Sequence, residues 1–462
     1  MNTQTTDISC DAKSKTRSLM LLLSIVLPLA AVKIYINQLI QQPDFDGGLY
    51  THIAEHIRNG DGLVTRVSLV QKGIPYFPYP SAIYPLWPLL YGLVATIANI
   101  TTVGIWLPTF FFFLSLCFAY LWAKHLKMQM PQLLDQMGFN AGHLIVLMLG
   151  LHLAYFQFTS LPYTEGLAYC LLFFFLWRLP TYLREQHIRY AIEVGALLGL
   201  LFLSRSQFIL VGASWILLCA IEMIRKRERS ILFYTISIGI FAGIIATYAA
   251  WLSHYYTISS LSQLLRYDHL RATEMLSPVI ETLIKTPTLT EWLIDRSKGV
   301  PIAFSLNHEL SYAASFHVFQ YALPLAIICY MFRKVSQYRT SKTQNSAERM
   351  AAKVKSSIRH LKTIPSESIF YGILTIGGFL SIHALHKQYW AAWNFPKRQG
   401  LTTIFCFFFS LAYALRCRSK ALRFAAIALL VIGTAIGGYR IATLPKQDVT
   451  PSNAYRISPD YI

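Results

Sequence analysis

Runs of mostly apolar residues, each near the length that crosses a bilayer as a helix, follow one another along nearly the whole chain. A spanning helix needs about 20 such residues. Windows of that size fall at 18–40, 105–123, 141–160, 165–183, 191–206, 207–224, 231–252, 316–332, 366–385, 400–415 and 422–440. The fold class this implies is an all-α membrane protein, a polytopic bundle of about eleven transmembrane helices forming one domain over 1–462. Composition agrees, with 54% hydrophobic and 14% charged residues, where a soluble domain carries about 25% charged. A disordered chain, a disulfide scaffold and an ordinary cytosolic enzyme are excluded. The net charge of +19 sits in short clusters between apolar runs, which points to loops at a membrane surface and away from nucleic acid.

Segment 82–100 decides how the chain is threaded. It is apolar enough to cross, but five prolines between 75 and 88 suit a segment that lies at the interface or dips in and returns. If it does not cross, the loops on the N-terminal side hold 25 of the 41 Lys and Arg; if it does, that side keeps 15. The positive-inside rule prefers the first arrangement. The N-terminus is then cytoplasmic and the C-terminus outside. The first run, flanked by Lys13, Lys15 and Arg17, lacks a clear small-x-small cleavage site and reads as an uncleaved anchor. That fits a bacterial inner membrane. On the outer side lie 13 of the 22 Asp and Glu. Two outer loops are long enough for a working surface, 41–104 and 253–315, the second reading as amphipathic helices over the bundle. Loop 333–365, with nine basic residues and Glu348, reads as a cytoplasmic loop near anionic lipid.

The first outer loop opens with PDFDGGLYTHIAEHIRNGDG. Asp44 and Asp46 stand where the chain leaves the first run. A carboxylate there can accept a proton from a bound hydroxyl or hold a cation; it can also simply cap a helix. The Gly-Gly pair lets the chain turn. Residues 49–58 then read as a short amphipathic helix with Leu49, Ile53 and Ile57 on one face. His52, Glu55 and His56 match the H-x-x-E-H zinc pattern, with both imidazoles on one helical face. No third ligand is identifiable, so no metal site is assigned, although the loop's carboxylates admit a divalent cation.

Further along, Glu165 follows Pro162-Tyr163-Thr164 and opens an apolar run, where the helix dipole alone favours an acid. Arg205, in LSRSQ, falls between two apolar runs. A cation near apolar depth faces a partner or a wet cavity. Late in the chain, HALHKQYWAAWNFPKRQG gathers His383, His386, Lys387, Lys397 and Arg398 with two Trp. Interfacial Trp and Lys anchor helices in membranes. Arg and Lys also make charge-assisted bonds to phosphate. Acids at one outer corner and bases at others suggest a site joining a hydroxyl acceptor to a lipid phosphate.

Taken in order, these pieces resemble the GT-C superfamily of integral membrane glycosyltransferases, which includes the protein O-mannosyltransferases and the aminoarabinose transferases. DGGLYTHIAEHIRNGDG resembles the family's acidic first outer loop with its Tyr, here Tyr50, and Gly-x-Gly. YPSAIYPLWPLLYGL resembles the Pro-rich stretch after it, and LPYTEGLAYCLLFFFLWRL the second outer acid at the start of a span. GALLGLLFLSRSQFIL resembles a Gly-Leu run ending in a basic residue, and FPKRQGLTTIFCFFF a basic residue entering a late span. The resemblance implies a polyprenyl-phosphate-linked sugar donor and inverting transfer to a lipid, glycan or protein acceptor on the outer face. By position, Asp46 would be the catalytic base, with Asp44 beside it and Glu165 the second acid. Arg205, Lys397 and Arg398 would hold the donor phosphate; Tyr50, His386 and Lys387 would contact substrate. Relatives often have two adjacent acids, whereas Asp46 is followed by Gly47. Either Asp44 substitutes or the acceptor class differs. The alternatives are a transporter or flippase of lipid-linked sugar, which would share the spans and phosphate contacts, and a membrane metalloprotease on His52, Glu55 and His56. Against the transporter stand the absence of an internal repeat and carboxylates placed outside rather than at mid-depth.

Overall fold

In the computed structural model the residues described are 4–39, 45–65, 79–80, 85–126, 138–151, 155–156, 159, 162–205, 208–225, 228–255, 326–328, 330, 364–389, 408–415, 419, 421–429, 431 and 435. Most of the loops 253–315 and 333–365, most of the window 316–332, and about half of each of the windows 400–415 and 422–440 lie outside them.

The described residues are almost wholly helical. Helices α1 (Gln4–Leu39), α2 (Phe45–Arg58), α3 (Leu86–Ala95), α4 (Ile100–His125) and α5 (Ala141–Gly150) come first. Then follow α6 (Glu165–Glu185), α7 (Ile188–Ser204), α8 (Ile209–Ile224), α9 (Glu228–Tyr255) and α10 (Ser366–Tyr389). A two-residue antiparallel ladder, β1 (Val64–Thr65) with β2 (Tyr79–Pro80), pins the loop between α2 and α3. Among the described residues, four helical stretches are long and apolar enough to cross a membrane: Thr16–Tyr35, Ile100–His125, Glu165–Glu185 and Ile231–Trp251. These fall at four of the eleven expected spans.

Two elements differ from the sequence reading. Helix α2 starts at Phe45, four residues before the expected 49, so Gly47 and Gly48 lie inside its first turns instead of making the bend. A helical glycine costs about 1 kcal/mol relative to alanine; burial of Tyr50, Ile53 and Ala54 outweighs it. The buried face therefore takes in Tyr50 and Ala54 beside the expected Ile53. Helix α5 ends at Gly150, so the window 141–160 is not one continuous span. Helix α3 is ten residues long. At about 1.5 Å rise per residue it covers roughly 15 Å, half a hydrocarbon core.

Contacts divide the chain into two units. One is Met1–Arg178 with Leu200–Ser206 and Leu430–Ile462; the other is Leu179–Gly199 with Gln207–Leu429. The first has an aromatic core of Trp87, Tyr91, Phe112, Trp122, Tyr155, Phe156, Tyr169 and Phe173. In it, α3 lies so close on α2 that a Cβ at Gly92 would come 2.8 Å from the Ala54 carbonyl oxygen. In the second, Trp215 packs against Phe233, Tyr234 and Phe370 and donates from Nε1 to Ser237 Oγ at 2.9 Å. There Glu222 and Arg225 form a buried pair at the end of α8, and Arg225 donates to the Ile364 carbonyl at 2.6 Å, tying α8 to the start of α10.

Candidate functional site

Two helices joined by a tight turn place one acid and one base together. Helix α6 opens on Glu165 and closes at Glu185; Gln186, at φ 50°, turns the chain; α7 then runs back and ends at Ser204, directly before Arg205. The return brings Arg205 back to Glu165. Tyr182 Oη donates to Glu193 Oε1 at 2.6 Å near the turn. At the open end an Arg205 guanidinium nitrogen donates to Glu165 Oε1. Thr164 Oγ1 lies 3.4 Å from Glu165 Oε2. Tyr163, Thr164, Glu165, Ser204 and Arg205 are all buried, Glu165 at 4% exposure and Arg205 at 9%. Each ion also sits at the helix end that suits it, the carboxylate at an N-terminus and the guanidinium at a C-terminus.

The loop carrying Asp46 reaches this pair through α3. Trp87 Nε1 donates to the Pro162 carbonyl at 2.8 Å, three residues before Glu165. One turn further, Tyr91 Oη donates to the Ile100 carbonyl at 2.9 Å and stands 3.3 Å from Thr51 Oγ1 on α2. Burial pushes the Tyr91 phenol up to about 12, partly offset by the Thr51 contact, so it stays protonated and donating through the neutral range. Gly104 on α4 leaves room for the Tyr91 hydroxyl, which an added Cβ would overlap. Thus α2, α3, α4 and the turn before α6 form one packed cluster.

Asp46 falls in the first turn of α2, where a carboxylate also favours the helix N-terminus. Its side chain, Asp44, Lys397 and Arg398 lie outside the described residues, as do the side chains of His386 and Lys387 at the end of α10. Tyr50 is on the buried face of α2. The Gly-x-Gly ends α2: Gly60 at φ 88° lets its own N–H reach Ile57 O at 3.1 Å and the Asp61 N–H reach His56 O at 2.9 Å, a Schellman cap. That cap brings Asp61 Oδ2 to 2.8 Å from His56 Nδ1. The His52 ring stands edge-on to His56 at 4.7 Å. Among the described residues no group of three or more His, Cys, Asp or Glu has the geometry to hold a metal ion.

One residue given no role by sequence reasoning is Lys33, inside the first apolar run. It is fully buried on α1. Its Nζ donates to the Phe156 carbonyl at 2.5 Å and to Thr159 Oγ1 at 2.7 Å, with the Phe112 and Phe156 rings 4.7 and 4.5 Å away.

No family model matches the chain, and no curated protein matches it. A solved structure similar to it is the crystal structure of the Archaeoglobus fulgidus oligosaccharyltransferase, tethered through a disulfide bond to an acceptor peptide containing the NVT sequon. The similarity has a TM-score of 0.46 at 13% identity, over 91% of this chain and 54% of that one. The chain therefore spans about half the length of that protein.

Proposed function

We propose that this chain is a membrane glycosyltransferase of the GT-C type, moving a sugar from a polyprenyl-phosphate donor to a hydroxyl acceptor on the non-cytoplasmic face with inversion. The observation that carries the reading is the buried Glu165–Arg205 pair, packed through Pro162, Trp87 and α3 against the helix that begins with Asp46 in its first turn. It supports the reading because an acid-bearing helix and a buried guanidinium belong to one cluster, as transfer from a phosphate to a hydroxyl requires.

In the proposed step, the acceptor O–H loses its proton to Asp46 as its oxygen attacks the anomeric carbon. The bond from that carbon to the phosphate oxygen breaks, and polyprenyl monophosphate leaves with one more negative charge than the donor diester carried. A positioned base contributes about 10²–10⁴ in rate. Arg205 would take up the growing charge in a water-poor site; the resemblance gives Lys397 and Arg398 the same role. A guanidinium has donors enough to hold a carboxylate and a phosphate together. Glu165 then serves to orient Arg205. A divalent cation at the first-loop acids is compatible with this scheme and not required by it.

The test is product formation from labelled polyprenyl-phosphate sugars by the purified protein in detergent, where transport cannot be scored. Transfer to an added acceptor supports the reading. Binding of the lipid without bond cleavage would favour a flippase.

A further inference from the structure

Between α5 and α6 the described residues leave regular helix at Leu151 and again at Pro162–Thr164, with Tyr155 and Phe156 helical between them, at a depth where the sequence still reads as membrane. Gly150 ends α5; Tyr155, Phe156, Thr159, Tyr163 and Thr164 are buried, and Glu165 starts α6. Broken backbone inside a membrane protein persists only where other groups satisfy its carbonyls. Two side chains from distant parts of the sequence do so here. Trp87 Nε1 holds the Pro162 carbonyl at 2.8 Å. Lys33 holds the Phe156 carbonyl at 2.5 Å and Thr159 Oγ1 at 2.7 Å. The Thr159 hydroxyl gives its own proton to the Tyr155 carbonyl at 2.7 Å, so toward Lys33 it is an acceptor. The Lys33 Nζ is enclosed by the Phe112 and Phe156 rings, and among the described residues no carboxylate is ion-paired with it. A lysine buried without an acid is a costly feature for a membrane protein to keep.

We propose that Lys33 is a positioning residue: from the first span it holds Phe156 and Thr159, and through them sets where Glu165 and its partner Arg205 stand. It does not touch substrate. Its action is to keep the break rigid, so that the ion pair is presented in one geometry.

The first arm of the test needs no assumption about activity. In a full-length cysteine-free background, Thr164→Cys places a thiol at a fully buried point next to Glu165, and Ser214→Cys places a control thiol at a buried point on α8. Modification by a small charged thiosulfonate reads local opening. With Lys33→Met the thiol introduced at position 164 is expected to react about tenfold faster or more, with the control thiol at position 214 unchanged. Equal rates at position 164, or equal acceleration at both positions, would overturn the proposal. Thr159→Val, which removes one acceptor and leaves the lysine, gives a smaller acceleration at position 164 and keeps the test open should Lys33→Met fail to insert. The second arm rests on the glycosyltransfer reading. Lys33→Met is expected to lower kcat per folded protein, yet to add less than about twofold loss once Glu165→Gln is present, as expected of residues acting in series. Full additive losses would show that Lys33 acts elsewhere.

Discussion

Glu165 and Arg205 are each expensive to bury and cheap to bury together. Removing one partner from such a pair leaves an uncompensated charge and costs about 3–5 kcal/mol, whereas replacing both by apolar groups is often near neutral. Glu165→Leu and Arg205→Met should therefore each lower the thermal unfolding midpoint in detergent by several degrees, while the double variant should melt higher than either single one. Additive losses would mean that the two side chains do not share the pairing seen here. Activity separates from stability in this series: the double variant is expected to be well folded and inactive. At this scale the sequence showed half of the picture. Arg205, standing between two apolar runs, demanded a partner or a wet cavity, and Glu165 demanded only a helix start. That each is the other's answer depends on the chain turning back at Gln186, which joins residues 40 apart in sequence.

Among the elements, the short α3 joins α2, α4 and the turn before α6. Its packing on α2 leaves no space at Gly92, and its Tyr91 hydroxyl fills the space at Gly104 on α4. Gly104→Ala forces Tyr91 off the Ile100 carbonyl and is expected to destabilise by about 1–3 kcal/mol, the usual penalty for overpacking. Trp87→Phe keeps an aromatic ring and removes the bond to Pro162; it should cost about 1–3 kcal/mol because a buried carbonyl is left without its donor. Both are measured by denaturation in detergent. No change in either variant would contradict the packed route from α2 to Glu165. The helix start at Phe45 and the break after Gly150 were hidden from the sequence for a common reason. Hydropathy and periodicity are local, whereas both features are set by distant contacts: α3 pressed on α2, and Lys33 on α1 satisfying Phe156 and Thr159. The caps were more legible. Asn99 accepts from the Thr101 and Thr102 amides at the start of α4, and Gly60 closes α2, both as their residue types favour.

For the whole molecule, threading and chemistry depend on one another. If 82–100 stays on the side where it starts, the loops of the N-terminal side collect most of the basic residues, and Asp46 shares the opposite face with Glu165 and Arg205. Ile97, 87% exposed just after α3, reports on this directly. In a cysteine-free background, Ile97→Cys should be labelled by a membrane-impermeant maleimide in intact spheroplasts. Labelling only after permeabilisation would put the segment across the membrane and separate Asp46 from the arginine. Apolar run length identified the helices as a class, and charge asymmetry supplied the expected threading. Neither carries information on the donor, which depends on side chains meeting at one place.

The most direct measurement is release of polyprenyl phosphate with transfer of its sugar, followed with a panel of labelled polyprenyl-phosphate hexoses and pentoses and purified protein. The wild-type chain should transfer at least one of them, and Asp46→Asn, inserted and folded, should be slower by about 10²–10⁴, the worth of a positioned base. Transfer by Asp46→Asn at the wild-type rate, or no cleavage of any donor by the wild-type protein, would contradict the account.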